Sequence, residues 1–208
     1  KEEGILKKGK WHGGYTAWYD NGEIKSKGAY EYGKRVGIWR YYYKNGNIKE
    51  EGNHNNGDYT WYYIDGMKKQ FGSFLNGKEE GLFTLWFENG KKKNEGVYNS
   101  GEKEGIHKWW YENEKLEREI SYSNGYKNGL AKWWYKNGKQ ESQGYYTNDE
   151  ESGEWTLWYK NEHLKQKGTK PNGKWTWYYE NGIKEKEAFY KKGKLHGKYL
   201  EFYDNGKK

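Results

Sequence analysis

The sequence has little of what ordinary globular domains are built from. Its 208 residues include no cysteine and one proline, Pro171. The lack of cysteine excludes a disulfide framework and a thiolate metal site. Aliphatic residues are scarce, and no run approaches the ~18 apolar residues of a membrane span. Any core must therefore be built largely from aromatic residues, which make up 20% of the chain.

Arginine is also scarce, since the only three are Arg35, Arg40 and Arg118. The formal net charge is +8, but charges of both signs alternate along the chain. Recognition of phosphates and bases relies on the forked guanidinium of arginine. The composition therefore argues against a nucleic-acid partner and favours a solvated surface of mixed charge.

Residues for catalysis or metal binding do not form a recognisable pattern. The histidines occupy unrelated places in the chain, and no two stand at metal-ligand spacing: His12, His54, His107, His163 and His196. No serine lies in a nucleophile-elbow context, and a single-layer sheet offers no deep cavity. We therefore expect no enzyme activity, no catalytic or cofactor-binding residue and no metal site.

One short pattern is repeated through the whole chain. The stretch 173–182 reads GKWTWYYENG: a glycine, then an aromatic doublet five residues later, then Asn-Gly or a close relative. Units begin every 24 residues, except for two units of 20. Their opening glycines are Gly13, Gly37, Gly57, Gly81, Gly105, Gly129, Gly153, Gly173 and Gly197. Such a period predicts one continuous repeat domain over residues 1–208.

Each unit has the signature of a β-hairpin. Aromatic residues alternate with Thr or charged residues, as in 175–177, which is typical of strands. Asn-Gly pairs such as Asn21-Gly22 predict two-residue type I′ turns. Asn113-Glu114 and Asn161-Glu162 replace that pair, so we expect a strained or longer turn there. The whole pattern predicts an all-β fold: an elongated, single-layer, twisted antiparallel sheet of about eighteen strands in about nine hairpin repeats.

The turns also predict the register. If Asn21-Gly22 forms the loop, Tyr19 pairs with Ile24, and the next turn falls on Gly33-Lys34 as type II′. Large and small residues then alternate in one cross-strand row, so that each ring lies over a facing glycine. The exception is central, where His107, Ile120 and Ala131 are expected to be neighbours that conserve side-chain volume.

The opposite face of the sheet is predicted to carry a single aromatic row. Four consecutive units place tryptophan in it: Trp86, Trp110, Trp134 and Trp158. On the predicted register, charged residues lie between these rings: Lys93, Glu117, Glu141 and Lys165. This tryptophan ladder is our candidate partner-binding surface, because tryptophan is enriched among interface hot spots. The alternative is that these rings only stiffen a thin sheet.

The repeat resembles the bacterial MORN-like repeats, a branch of the MORN family whose members often carry an antitoxin label. The matching patterns are G-x-W-x-x-Y-Y-x-N-G at 37–46 and x-G-x-Y-x-x-G-K within 22–34. The units also look like choline- and glucan-binding wall repeats, but the 24-residue period fits MORN better. The resemblance implies a long sheet of hairpins with scaffold, membrane-proximal or protein-binding roles.

These observations lead to a non-enzymatic scaffold for protein–protein interaction, at the bacterial cell surface or secreted. The first alternative is a carbohydrate or cell-wall binding module that uses the ladder, with a glycan as partner. The second is an antitoxin-like component, which rests on the family label alone. Self-association through a sheet face or edge and a cytoplasmic location stay open. The start at Lys1 fits a cleaved signal peptide or a truncated chain.

Overall fold

The computed structural model describes residues 1–208 and shows eighteen β-strands. The chain forms two compact units, Lys1–Glu102 and Lys103–Lys208. They are called the first unit and the second unit below, and the nine repeats are called hairpin units. The strands of the first are β1 (Glu2–Lys7), β2 (Lys10–Trp18), β3 (Ile24–Glu31), β4 (Lys34–Tyr42), β5 (Ile48–Gly52), β6 (Asn56–Tyr62), β7 (Lys68–Leu75), β8 (Lys78–Trp86) and β9 (Lys92–Asn99). Those of the second are β10 (Glu102–Trp110), β11 (Leu116–Ser123), β12 (Tyr126–Trp134), β13 (Gln140–Thr147), β14 (Glu150–Trp158), β15 (Leu164–Lys170), β16 (Gly173–Tyr178), β17 (Lys184–Lys191) and β18 (Lys194–Glu201).

The predicted fold of successive hairpins is confirmed. In the first unit every strand pairs antiparallel with the next strand of the chain. The second unit follows the same rule from β10 to β18. No helix in the structure is long and apolar enough to cross a membrane.

The Asn-Gly turns are not the predicted type I′ turns. At the first of them Gly22 has a φ of 88°, and Asn21 is not among the residues with positive φ. The Gly22 N–H donates to the Tyr19 carbonyl at 3.1 Å, and the Tyr19 N–H donates to Glu23 at 2.8 Å. This is a three-residue loop that ends in a glycine bulge. Tyr19 therefore pairs with Glu23, and the prediction of Ile24 was wrong.

The two turns without glycine keep the same loop and are strained. Glu114 and Glu162 occupy the glycine position with φ values of 66° and 71°. Each of their N–H groups donates to the tyrosine carbonyl three residues earlier at 2.9 Å. The left-handed region disfavours a residue with a Cβ atom. Of the two expected outcomes, the structure shows a strained turn and not a longer one.

The second kind of turn is shifted by one residue from its predicted place. Tyr32 and Gly33 have φ values of 48° and 82°, so they are the central residues of a type I′ turn. Further along this hairpin the pair Ala29–Val36 is followed by the pair Lys27–Arg40, so Gly28 alone faces three residues of β4, 37–39. This bulge compensates for the shift of the turn, so Ser26 pairs with Tyr41 as the predicted register requires. The opening glycine of every unit has a positive φ, between 65° and 135°.

The predicted row of alternating large and small residues is confirmed and forms the core. Tyr15 pairs with Gly28, and Trp155 pairs with Gly168. The rings lie directly over glycines: a Cβ atom on Gly144 would stand 2.1 Å from the Trp155 ring. The buried rings of the row are Tyr15, Trp39, Tyr59, Phe83, Trp155 and Trp175. At Gly28, Gly144 and Gly168, where φ is not positive, glycine is therefore needed for the close approach of the ring.

The central exception in this row is also confirmed. His107 pairs with Ile120, and Ile120 pairs with Ala131. Their exposed fractions are 1%, 4% and 1%, respectively. Ile120 stands where most other hairpin units have glycine, and Ala131 stands where they have a ring. The Ile120 side chain thus fills the space that a ring fills elsewhere.

Candidate binding surface on the tryptophan ladder

The four predicted ladder residues occupy equivalent positions. Each is the last residue of the first strand in its hairpin: Trp86 ends β8, Trp110 ends β10, Trp134 ends β12 and Trp158 ends β14. All four side chains are partly exposed. Trp86 belongs to the first unit and the other three belong to the second. The core row is far less exposed, since Trp155 and Trp175 are only 6% and 5% exposed.

The residues beside the ladder differ from those predicted. In the second unit Trp110 pairs with Leu116, and Trp158 pairs with Leu164. The third ladder residue there, Trp134, pairs with Gln140. The predicted neighbours were each one residue further along the chain, because each loop holds three residues and not the predicted two. In the second unit these neighbours of the ladder are therefore uncharged, two aliphatic residues and one amide, whereas Trp86 of the first unit pairs with Lys92.

Two of the lysines predicted between the ladder rings lie over other rings. The Lys165 Nζ atom is 5.5 Å from the centroid of the Tyr159 ring, the second aromatic of its doublet. In the first unit Lys93 lies 5.4 Å from the Phe87 ring in the same way. These are cation–π distances. The lysines thus cover the second rings of the doublets and leave the ladder rings to other contacts.

The sequence contains a pattern that indicates the observed neighbours of the ladder residues. The second residue after the Asn-Gly position is aliphatic in four units: Ile24, Ile48, Leu116 and Leu164. A recurring aliphatic residue just after a turn indicates a position that packs beside a ring. The two-residue turn assumed from Asn-Gly placed these residues beside the second aromatic instead.

Tyrosine hydroxyls fix the backbone of the ladder. The Tyr111 hydroxyl donates to the Trp134 carbonyl at 2.8 Å, and the Tyr135 hydroxyl donates to the Trp158 carbonyl at 2.8 Å. In the first unit Tyr63 makes the same bond to Trp86 at 2.7 Å. Burial is the main cause that raises the pKa of all three tyrosines. Each bond ties one hairpin to the next, so ladder strands are held at a constant spacing.

The histidines are dispersed in the fold as well as in the sequence. His107 lies in the core row, and the His54 ring lies 3.7 Å from the Tyr59 ring. Burial lowers the pKa of His54. The His163 ring is bonded to the Glu180 carbonyl at 2.7 Å. No group of three or more histidine, cysteine, aspartate or glutamate side chains in the structure could hold a metal ion.

The chain also matches a known family. Copies of the repeat described as MORN repeat variant match residues 35–56, 79–100, 103–124, 127–148, 171–192 and 195–208, which is more than half of the chain. The chain belongs to the MORN repeat variant family. MORN repeats generally act as interaction modules, and the family is not known for enzymes. A search of curated proteins found no match.

The structure extends the six matched MORN copies to nine hairpin units. Each matched copy begins two residues before an opening glycine. The units that open at Gly13, Gly57 and Gly153 lie outside the matched segments, yet these glycines have positive φ values of 93°, 119° and 65°. The same backbone pattern therefore runs through copies whose side chains have diverged.

Proposed function

We propose that the chain is a non-enzymatic scaffold that binds an extended polypeptide on its tryptophan ladder. The observation that carries this proposal is one strip of partly exposed side chains in the second unit. It consists of Trp110, Leu116, Trp134, Gln140, Trp158 and Leu164. Large aromatic rings next to aliphatic side chains are typical of interface cores, where charged residues are depleted.

The spacing of the ladder supports an extended partner. Equivalent strands of neighbouring hairpins lie two strand spacings apart, roughly 9.6 Å. A peptide in the polyproline II conformation turns the same face to a surface every three residues, about 9.3 Å. Aromatic-lined grooves are a common way to bind such peptides. A peptide with apolar residues at every third position would thus place one of them at each successive tryptophan.

The test is isothermal titration calorimetry with the peptide Ac-(Leu-Pro-Pro)4-NH2 and a scrambled peptide of the same composition. We expect the first peptide to bind and the scrambled one to bind more weakly. The double variant Trp110→Ala/Trp134→Ala should lose binding. Its matched control is Trp18→Ala/Tyr42→Ala, which removes two rings at the same repeat position in the first unit.

Several outcomes would contradict the proposal. If circular dichroism shows that Trp110→Ala/Trp134→Ala is unfolded, the ladder is structural. Unchanged binding in a folded double variant would remove the ladder as the site. A shift of tryptophan fluorescence with millimolar cellohexaose or chitohexaose, together with no peptide binding, would favour the carbohydrate alternative.

A further inference from the structure

Three cations of the second unit gather on the face opposite the ladder. Trp109 and Trp110 are consecutive in β10, so their side chains point to opposite faces. The Arg118 Cζ atom is 4.5 Å from the Trp109 ring centroid, and the Lys103 Nζ atom is 5.7 Å from the same ring. Lys127 Nζ lies 4.9 Å from the ring of Tyr146. The group Lys103, Arg118 and Lys127 is called the cation cluster below.

The side chains of the cation cluster lack an ion-paired carboxylate, although the Asp149 Oδ1 atom accepts a hydrogen bond from the backbone N–H of Lys127 at 2.8 Å. None of its three side chains forms an ion pair, although other cations of the second unit do, such as Lys108 with Glu119 and Lys174 with Glu187. The Nε atom of Arg118 is buried and has no hydrogen-bond acceptor. An unpaired buried donor is costly, and more so when it is charged. The positive charges of the cluster are therefore not balanced by ion pairs within the chain.

The cluster is also specific to one place in the second unit. Lys103 and Lys127 both stand two residues before an opening glycine, and later units have other residues there: Glu151, Pro171 and Leu195. Arg118 pairs across the strands with Trp109 and Trp133. Lys170 also lies over two rings, those of Trp155 and Trp175, but it is ion-paired with Glu151, whereas the three cations gathered here form no ion pair.

The charges that surround Lys103 are positive. Its pKa is lowered, first by burial and then by the charges of Arg118 and Lys127. An anion bound near these side chains would offset the charges of Arg118 and Lys127 and so oppose their lowering of the Lys103 pKa. Like charges are held close together at many binding sites, where the partner supplies the opposite charge.

We propose that the cation cluster binds acidic side chains of a polypeptide whose apolar residues pack on the neighbouring rings. A carboxylate matches the forked donors of arginine, and such charge-assisted hydrogen bonds are stronger than neutral ones. Trp109, Tyr122 and Trp133 surround the cluster with partly exposed aromatic area. This surface suits a segment that alternates acidic and apolar residues. The inference rests on the proposed function in that it assigns a second surface to the same polypeptide-binding scaffold.

The test is calorimetry at low ionic strength with Ac-Leu-Glu-Leu-Glu-Leu-NH2 and its counterpart with Gln in place of Glu. We expect the Glu peptide to bind the full chain, and the Gln peptide not to bind. Binding should weaken as salt is raised, because salt screens exposed charges. The variant Lys103→Gln/Lys127→Gln should weaken binding about tenfold, which corresponds to about 1.4 kcal/mol, and adding Arg118→Gln should abolish it.

The matched control is Lys186→Gln. Lys186 occupies the repeat position of Arg118, with its Nζ atom 4.8 Å from the Trp177 ring, but no lysine stands two residues before the neighbouring opening glycines. We expect this variant to bind the Glu peptide as the unmodified chain does. The ladder variant Trp110→Ala/Trp134→Ala should also keep Glu-peptide binding, so failure of the ladder proposal and failure of this one are distinguishable.

Four results would overturn the inference. The first is no binding of the Glu peptide to the unmodified chain, and the second is equal binding of the Glu and Gln peptides. The third is a loss in Lys186→Gln as large as the loss in Lys103→Gln/Lys127→Gln. The fourth is tighter binding of phenyl phosphate than of the Glu peptide, which would identify a phosphate site and not a peptide site.

Discussion

At the scale of residues, the fold depends on pairs made of a ring and a glycine. Gly28 lies under Trp39, Gly72 under Phe83 and Gly168 under Trp175, and a Cβ atom on any of them would stand within 2.3 Å of the ring. Ordinary van der Waals contact requires about 3.5 Å or more between carbon atoms. A chain poor in aliphatic residues thus obtains a dense core by packing each large ring against backbone.

The first prediction concerns one of these pairs. Gly144→Ala places a Cβ atom 2.1 Å from the Trp155 ring, and overpacking of this kind costs about 1–3 kcal/mol. Urea unfolding should show this loss. The control is Gly14→Ala, where nothing lies within 4 Å of the added atom and φ is not in the positive region. Equal stabilities of the two variants would contradict the account of the core row.

The second prediction concerns the central exception. Ile120 is 4% exposed between His107 and Ala131, so Ile120→Ala leaves a cavity and should cost about 2–4 kcal/mol. Ile106→Ala removes the same atoms from a side chain that is 57% exposed, and it should change the free energy of unfolding by much less. A neutral Ile120→Ala would mean that Ile120 does not fill the core.

At the scale of elements, the sequence predicted the pairing of strands better than the shape of turns. The register of the core row is right because periodicity over many strands determines it. The turn types are wrong because Asn-Gly suits both a type I′ turn and a type I turn followed by a bulge, and only the backbone torsions distinguish them. That single-residue difference moved Leu116 and Leu164 next to the ladder.

The third prediction tests the turn geometry. Glu162→Gly removes a Cβ atom from a residue with a φ of 71° and should stabilise the chain by about 1 kcal/mol. It also removes the ion pair with Lys139 at 2.9 Å, but exposed pairs contribute little. Glu162→Ala loses the ion pair and keeps the strain, so it should not be stabilised. Thermal unfolding of both variants decides between strain and ion pairing.

The cation cluster shows what sequence alone could not reveal. Lys103, Arg118 and Lys127 are separated along the chain, and 38 basic residues are distributed over the whole sequence. Their gathering depends on the cross-strand pairing around the bulge at an opening glycine, which places Lys127 opposite Tyr122, and the sequence did not predict that bulge. The ladder residues, in contrast, were predictable because four consecutive units repeat one tryptophan position.

At the scale of the whole molecule, repetition replaces a large hydrophobic core. Most of the nine hairpin units contribute a buried ring to the core row, and partly exposed rings lie beside that row and on the opposite face. Stability in such repeats comes mainly from contacts between neighbouring units, here the ring–glycine pairs and the tyrosine hydroxyl bonds. The partly exposed rings on both faces are the surfaces to which our two proposals assign binding, in line with the interaction role of MORN repeats.

The measurement that tests the central claim most directly is a two-dimensional NMR spectrum of the tryptophan indole N–H groups, recorded as the peptide Ac-(Leu-Pro-Pro)4-NH2 is added. Single Trp→Phe variants assign the resonances. We predict that the indole signals of Trp110, Trp134 and Trp158 shift, while those of the buried Trp155 and Trp175 stay in place. Shifts confined to the core-face tryptophans, or no shift at any ladder tryptophan, would contradict the claim that the ladder is the binding surface.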